Sequence, residues 1–335
     1  MAQPPKALVL APFSPDALER LRAAAKVVYE PWTETKRLHN PQELAGRLRR
    51  ERIAAVVVEA DFLVAEAFAS PHLRVAGACR NAVTQVDLKT ATECGIPVLH
   101  APARNNVAVA ELAISFMFAL ARHIPAAHAF VAGGRWTNPV LDYEQFRGRE
   151  VTGSTVGIIG LGQIGREVAQ RVRCLGARVL AHDPFVSRER AVAAGARLVS
   201  LRTLLRRADF VTLHTTAMER PVLDGAALDE LRPGAYVINT GAPAAVDYAA
   251  LAERLRARRI AGAALDVFPG FLLRPESPLL GLDNVILTPH LGGATAETVE
   301  RHSRMMVEDI ERVLRGERPR RVANPAVLKS FSRGR

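Results

Sequence analysis

The run Thr155-Val156-Gly157-Ile158-Ile159 leads directly into Gly160-Leu161-Gly162-Gln163-Ile164-Gly165, and a helical pattern from Gln163 to Leu175 follows. Few architectures accept that order. In a strand–turn–helix unit the first glycine makes the tight turn. The second lets the backbone approach a pyrophosphate, and the third lets the helix pack on its strand. The helix N-terminus then offers free N–H groups and a positive dipole end to the phosphates. The next apolar run, Arg178 to Ala181, is followed by Asp183. A carboxylate there accepts from an adenosine ribose and repels a 2′-phosphate, which favours NAD over NADP.

The rest of the chain repeats the alternation. Ala7 to Leu10, Ala54 to Val58, Leu73 to Ala78 and Ile96 to His100 read as buried strands, with a helix over Pro41 to Arg52. A long helix spans Asn106 to Arg122, and an irregular stretch with Gly133, Gly134 and Pro139 follows it. After Thr155 to Ile159 and Arg178 to Ala181, strands are expected at Phe210–Leu213, Ala235–Asn239, 261–267 and 285–288. A last amphipathic helix covers about 294–315. Strands alternating with helices predict parallel sheets covered on both faces. At 335 residues the chain is long enough for two such domains.

Composition removes other classes. Apolar residues make up 49% and charged residues 24%, the balance of a globular protein. Cys79, Cys94 and Cys174 are scattered without a CxxC pair, so neither a disulfide framework nor a metal site is expected. The start shows no secretory pattern, and the longest apolar stretch, Leu112 to Ala121, is half a membrane span. A cytoplasmic protein without a membrane partner is expected. The net charge is +11, and all but five of the 45 cations are arginine. The basic runs at 47–52, 254–259 and 318–321 carry no interleaved aromatics, so they read as solvated helix faces rather than a nucleic-acid surface.

The motifs together resemble the D-isomer-specific 2-hydroxyacid dehydrogenases over nearly the whole length. The resemblance rests on Gly95-Ile96-Pro97-Val98, the NNVAVAE segment from Asn105 to Glu111, and Gly148-Arg149-Glu150 before the glycine turn. It continues through Arg232-Pro233-Gly234-Ala235, Asn239-Thr240, Ala261 to Phe268, Thr288-Pro289-His290 and Val322-Ala323-Asn324-Pro325. It implies a Rossmann nucleotide domain, about 104–291, inserted into a flavodoxin-like substrate domain of residues 1–103 and 292–335. It also implies NAD as cofactor, a small-molecule substrate in the interdomain cleft and a homodimer formed through the nucleotide domain. Gly160, Gly162, Gln163, Ile164, Gly165, Asp183, His214, Thr240, Gly241, Asp266 and His290 are the residues expected around the cofactor. Arg80, Asn81, Ala82, Val83, Ala242 and Phe271 are expected around the substrate.

The family's catalytic set is an arginine that grips the substrate carboxylate, a glutamate, and a histidine that moves the proton. Here only the histidine is present, as His290. The arginine position reads Ala242 and the glutamate position Phe271. Truncating one partner of a buried charge pair costs about 2–5 kcal/mol, so this is no neutral change. Three readings remain open. The chain is an oxidoreductase for an atypical hydroxy or oxo substrate, with Arg80, Arg104 or Arg274 as a substitute cation. It holds NAD for altered or non-redox chemistry. Or it is an inactive, NAD(H)-binding regulatory homologue.

Overall fold

The computed structural model describes residues 4–216, 219–270, 272–329 and 331. The chain divides into two compact units, one of Met1–Arg104 with Thr295–Arg335 and the other of Asn105–Ala294.

The first unit is a five-stranded parallel sheet of β1 (Lys6–Val9), β2 (Lys26–Tyr29), β3 (Ile53–Val58), β4 (Val75–Ala78) and β5 (Val98–His100), in the order β2-β1-β3-β4-β5. Every residue of β3 is buried, because side chains alternate between two covered faces. Ile53, Val56 and Val58 meet Leu44 and Leu48 of the helix Pro41–Arg50. Ala55 and Val57 join the opposite layer with Leu18, Leu21, Val307 and Ile310. Helix starts follow local chemistry: the Asn40 side chain accepts from the Gln42 and Glu43 amides at 3.0 and 3.2 Å, ahead of Pro41. Thr295 caps the helix Ala296–Leu314 in the same way.

The carboxy-terminal segment is tied to this sheet by backbone bonds, from the Ala323 amide to the Val98 carbonyl at 2.8 Å and from the His100 amide to the Arg321 carbonyl at 3.3 Å, and by one side chain. Asn324 accepts from the Val98 amide at 2.9 Å and donates to the Ile96 carbonyl at 3.1 Å and to Thr92 Oγ1 at 3.0 Å. β5 begins at Val98 rather than at Ile96 because Pro97 has no N–H for the ladder. β2 is absent from the sequence reading: it is a short, half-exposed edge strand whose apolar run is only Val27-Val28-Tyr29.

The second unit contains β6 (Thr155–Ile159), β7 (Arg178–His182), β8 (Arg197–Leu198), β9 (Phe210–Leu213), β10 (Tyr236–Asn239), β11 (Gly262–Leu265) and β12 (Val285–Leu287). All pairings are parallel, in the order β12-β11-β10-β9-β6-β7-β8. The order reverses between β6 and β9, and ligands of such sheets bind outside the carboxyl ends at that point. The helix Asn106–Ala121 packs on this sheet, and a break at His123, whose φ is 53°, starts a second helix, Ile124–Ala132. The stretch expected to be irregular therefore holds that helix and a short one, Leu141–Gln145. Among the described residues no single helix is long and apolar enough to cross a membrane.

Some arginines of the basic runs pair with neighbours. Arg47 pairs with Glu30 and Glu51, Arg254 with Asp229 and Glu253, Arg258 with Asp283, and Arg321 with Glu308 and Asp309. An exposed pair such as Arg258–Asp283 contributes little stability, whereas the buried Asn324 amide contributes more. Asn324→Ala is expected to lower unfolding stability by about 1–3 kcal/mol, read from urea denaturation. An unchanged midpoint would mean that the terminal segment is not anchored there.

Candidate functional site

The turn after β6 has the shape the three glycines demand. Gly160 sits at φ +89°, and a Cβ there would lie 2.8 Å from the His214 carbonyl oxygen. A Cβ on Gly165 would collide with the Gly160 carbonyl oxygen, so the helix Gln163–Cys174 can settle on β6 only with glycine at that position. Gly162 is different, since a Cβ there meets nothing within 4 Å. It faces open space at the N-cap of a helix with no side-chain cap, leaving the first-turn amides free for an anion. Gln163 is exposed at the helix start and accepts from Asn106 Nδ2 at 3.4 Å, while Ile164 packs half-buried on the core.

Asp183 stands just beyond the carboxyl end of β7. Its Oδ2 accepts from the Leu161 amide at 2.8 Å and its Oδ1 from the Phe185 amide at 2.9 Å. The carboxylate is thus fixed to the glycine turn, and each oxygen keeps a lone pair for a hydroxyl donor.

The loops after β9 and β10 close beneath the turn. His214 is buried. Thr212 Oγ1 lies 3.0 Å from its Nε2 and Thr240 Oγ1 3.5 Å from its Nδ1. Burial pushes its pKa down to about 3, so it stays neutral and is no proton carrier near neutral pH. Thr240 is also buried, and a Cβ on Gly241 would lie 2.9 Å from the Leu213 carbonyl oxygen. Asn239 shapes this turn by accepting from the Gly241 amide at 3.1 Å and donating to the Ala242 carbonyl at 3.1 Å and to the Tyr248 hydroxyl at 3.0 Å. The Thr215 hydroxyl is buried without a partner beside Gly160. The sequence reading does not single out Thr215, although its place after β9, at the strand-order reversal, is the available signal.

A second arrangement surrounds Asp266, just past β11. Its Oδ1 accepts from Thr288 Oγ1 and the Leu291 amide, both at 2.6 Å, and its Oδ2 from the Gly292 amide at 2.8 Å. These bonds brace a sharp turn in which His290 adopts φ +58°, a left-handed conformation that is uncommon for a side chain of this size. His290 is exposed, and its imidazole has no hydrogen-bond partner among the described residues.

The substrate-side residues are spread over both units. In the first unit Arg80 is half-buried, Asn81 and Ala82 are exposed, and the Val83 side chain packs into the core. In the second, Ala242 is extended at φ −97°, ψ 133°, as the following proline requires, and its methyl is buried in an apolar cluster. Phe271 lies outside the described residues. No group of three or more potential metal ligands occurs among the described residues, and their three cysteines are free.

An open Gly162 at a free helix N-terminus, an orphaned Thr215 hydroxyl and a fixed Asp183 fit a dinucleotide. Residues 114–292 match the family model for the D-isomer specific 2-hydroxyacid dehydrogenase NAD binding domain. A D-3-phosphoglycerate dehydrogenase of Archaeoglobus fulgidus is 36% identical over 315 residues, covering 93% of this chain and 58% of that protein. The chain thus spans less than two thirds of that relative's length. An (S)-sulfolactate dehydrogenase of Chromohalobacter salexigens is 39% identical over 247 residues, covering 73% of this chain and 78% of that one. The crystal structure of TT0316 protein from Thermus thermophilus superposes with a TM-score of 0.83 at 32% identity, covering 95% of this chain and 99% of that chain.

His214 generates a pH prediction. Its pKa is about 3 when folded and near the ordinary 6.5 when unfolded, so below pH 6.5 the unfolded chain takes up a proton that the folded one refuses. Stability contributed by the neutral ring is present above pH 6.5 and lost as pH falls, by about 2 kcal/mol between pH 7 and 5. Urea denaturation should show His214→Asn losing less over the same descent. Parallel losses in both proteins would contradict this assignment.

Proposed function

Because the chain belongs to the D-isomer specific 2-hydroxyacid dehydrogenase family, we propose that it is an oxidoreductase. In this reading it works on a small 2-hydroxy or 2-oxo acid, uses NAD in preference to NADP, and employs His290 as acid and base. The observation that carries this reading is the braced turn at His290. Asp266 spends both oxygens on that turn, so it serves as a positioning residue and not as a second proton carrier. The imidazole takes the proton from a hydroxyl being oxidised, or returns one to an oxygen being reduced. The bound nicotinamide supplies or takes the hydride. Asp183 supports the NAD preference, because its carboxylate would face the 2′-phosphate of NADP with like charge.

Ala242 sets the substrate apart. Without the guanidinium that the family places there, simple 2-oxo acids such as pyruvate and glyoxylate lose a bidentate partner on this loop. The alanine at 242, where the family has arginine, favours one competing reading, a protein that binds NAD(H) without turning over.

We expect calorimetry to give at least tenfold tighter binding of NADH than NADPH, a margin that Asp183→Ala narrows. In a screen of NADH oxidation against 2-oxo acids, His290→Asn should cut kcat at least 100-fold while leaving NADH affinity within about threefold. Equal affinity for the two cofactors would remove the NAD preference. Undiminished turnover in the His290 variant would remove the acid–base assignment.

The segment around the second helix supports a homodimer through the nucleotide unit. Ile124, Val131, Trp136 and Leu141 are 52%, 52%, 60% and 70% exposed, an apolar concentration that monomers rarely leave uncovered. Light scattering should give twice the chain mass, and the double variant Ile124→Asp, Leu141→Asp should give a folded monomer. A monomeric wild type would refute the dimer.

A further inference from the structure

At the β8 edge of the second unit's sheet stand cations that no carboxylate answers. A hollow of about 610 Å³ opens there, lined from β7, β8 and the helices Gln163–Cys174 and Arg188–Ala193. Arg173 reaches it from the last turn of the first helix, Arg188 from the start of the second, and Arg197 from β8 itself. All three are exposed, and among the described residues none makes an ion pair or a side-chain hydrogen bond. No acidic residue lines the hollow. The acidic residues between Gln163 and Ala208 are Glu167, Asp183 and Glu189. Glu167 pairs with Arg171, and Asp183 is held by the Leu161 and Phe185 amides. Glu189 is engaged by the Ser187 hydroxyl, which lowers its pKa with a weaker pull from Arg188.

The backbone makes room for one of these cations. Gly195 stands at φ +76°, and a Cβ there would collide with Arg173 Nη1 and Cδ and lie 2.8 Å from its Cζ. The Arg173 side chain therefore lies in space that only glycine leaves open. The floor of the hollow is apolar, made by Val179, Leu198 and Val192, and Val192 is 71% exposed. A concave apolar wall rimmed by charges of one sign focuses their field on whatever enters. Guanidiniums bind phosphate oxygens through parallel N–H bonds, and their planes stack on flat rings. The volume is that of a small-molecule site. The place is distinct from the glycine turn. Val179 lies near the amino end of β7 and Asp183 beyond its carboxyl end, and the hollow has no lining residue in common with the turn or with Leu213 to Thr215.

We infer that this hollow binds a nucleoside polyphosphate at a site separate from the dinucleotide's. Arg173, Arg188 and Arg197 take the phosphates, and the base lies on Val192 and Leu198. This does not depend on the redox reading. ATP, inorganic tripolyphosphate and adenosine are titrated by calorimetry against the full chain saturated with NADH, at one ionic strength. ATP should bind more tightly than either of the others. The triple variant Arg173→Met, Arg188→Met, Arg197→Met should weaken ATP at least tenfold and leave NADH affinity within about twofold. A control triple, Arg49→Met, Arg50→Met, Arg52→Met, removes the same charge from exposed positions of the first unit and should leave ATP binding unchanged. Val192→Asp changes one exposed side chain, which the fold tolerates, and should weaken ATP at least tenfold by setting a like charge on the floor. Absence of ATP binding, or tripolyphosphate binding as tightly as ATP, would overturn the proposal. So would equal weakening by the two triple variants, or loss of NADH affinity in the first of them.

Discussion

Two turns, one after β6 and one after β10, close onto the same stretch of backbone at Leu213 to Thr215, and a Cβ on either Gly160 or Gly241 would intrude on it. This close approach is the constraint on which the nucleotide unit depends. It brings the β6 turn, the β9 end and the β10 turn together at the strand-order reversal. It also encloses His214, whose burial keeps the ring neutral. A charged histidine there would need a buried counter-ion, which the neighbouring threonine hydroxyls do not supply.

Away from that turn, positioning and chemistry are assigned to different groups. Asp266 is fully engaged in holding the 288–292 loop, so the strain of a left-handed His290 is carried by hydrogen bonds on either side of it. The exposed imidazole carries no hydrogen bond among the described residues. At Ala242 the Asn239 side chain organises the turn, and the alanine methyl fills apolar space.

Much of this was legible in the sequence, for identifiable reasons. Buried parallel strands such as Ile53–Val58 are continuous apolar runs, and the glycine turn has a spacing that only one kind of backbone needs. The edge strand Lys26–Tyr29 and the two-residue Arg197–Leu198 escaped because half-exposed edges carry at most a very short apolar run. The helix Ile124–Ala132 was hidden by the glycines after it, although its apolar face is now its most visible feature. The surroundings of Thr215 and Asn239 could not be read, because Gly160 beside the one and the Tyr248 hydroxyl beside the other are brought there only by folding. Asp183 could be located by position, but its bond to the Leu161 amide could not.

The central claim is that His290 and the glycine turn serve hydride transfer to a hydroxy or oxo acid. Single-turnover reaction of the wild type with NADH deuterated at the transferring C4 position, followed by mass analysis of the acid, tests it most directly. The account predicts one deuterium at C2 of the 2-hydroxy acid formed from at least one 2-oxo acid, and none when His290 is replaced by asparagine within the same interval. Saturated binding of the labelled cofactor with no label in any acid would contradict it.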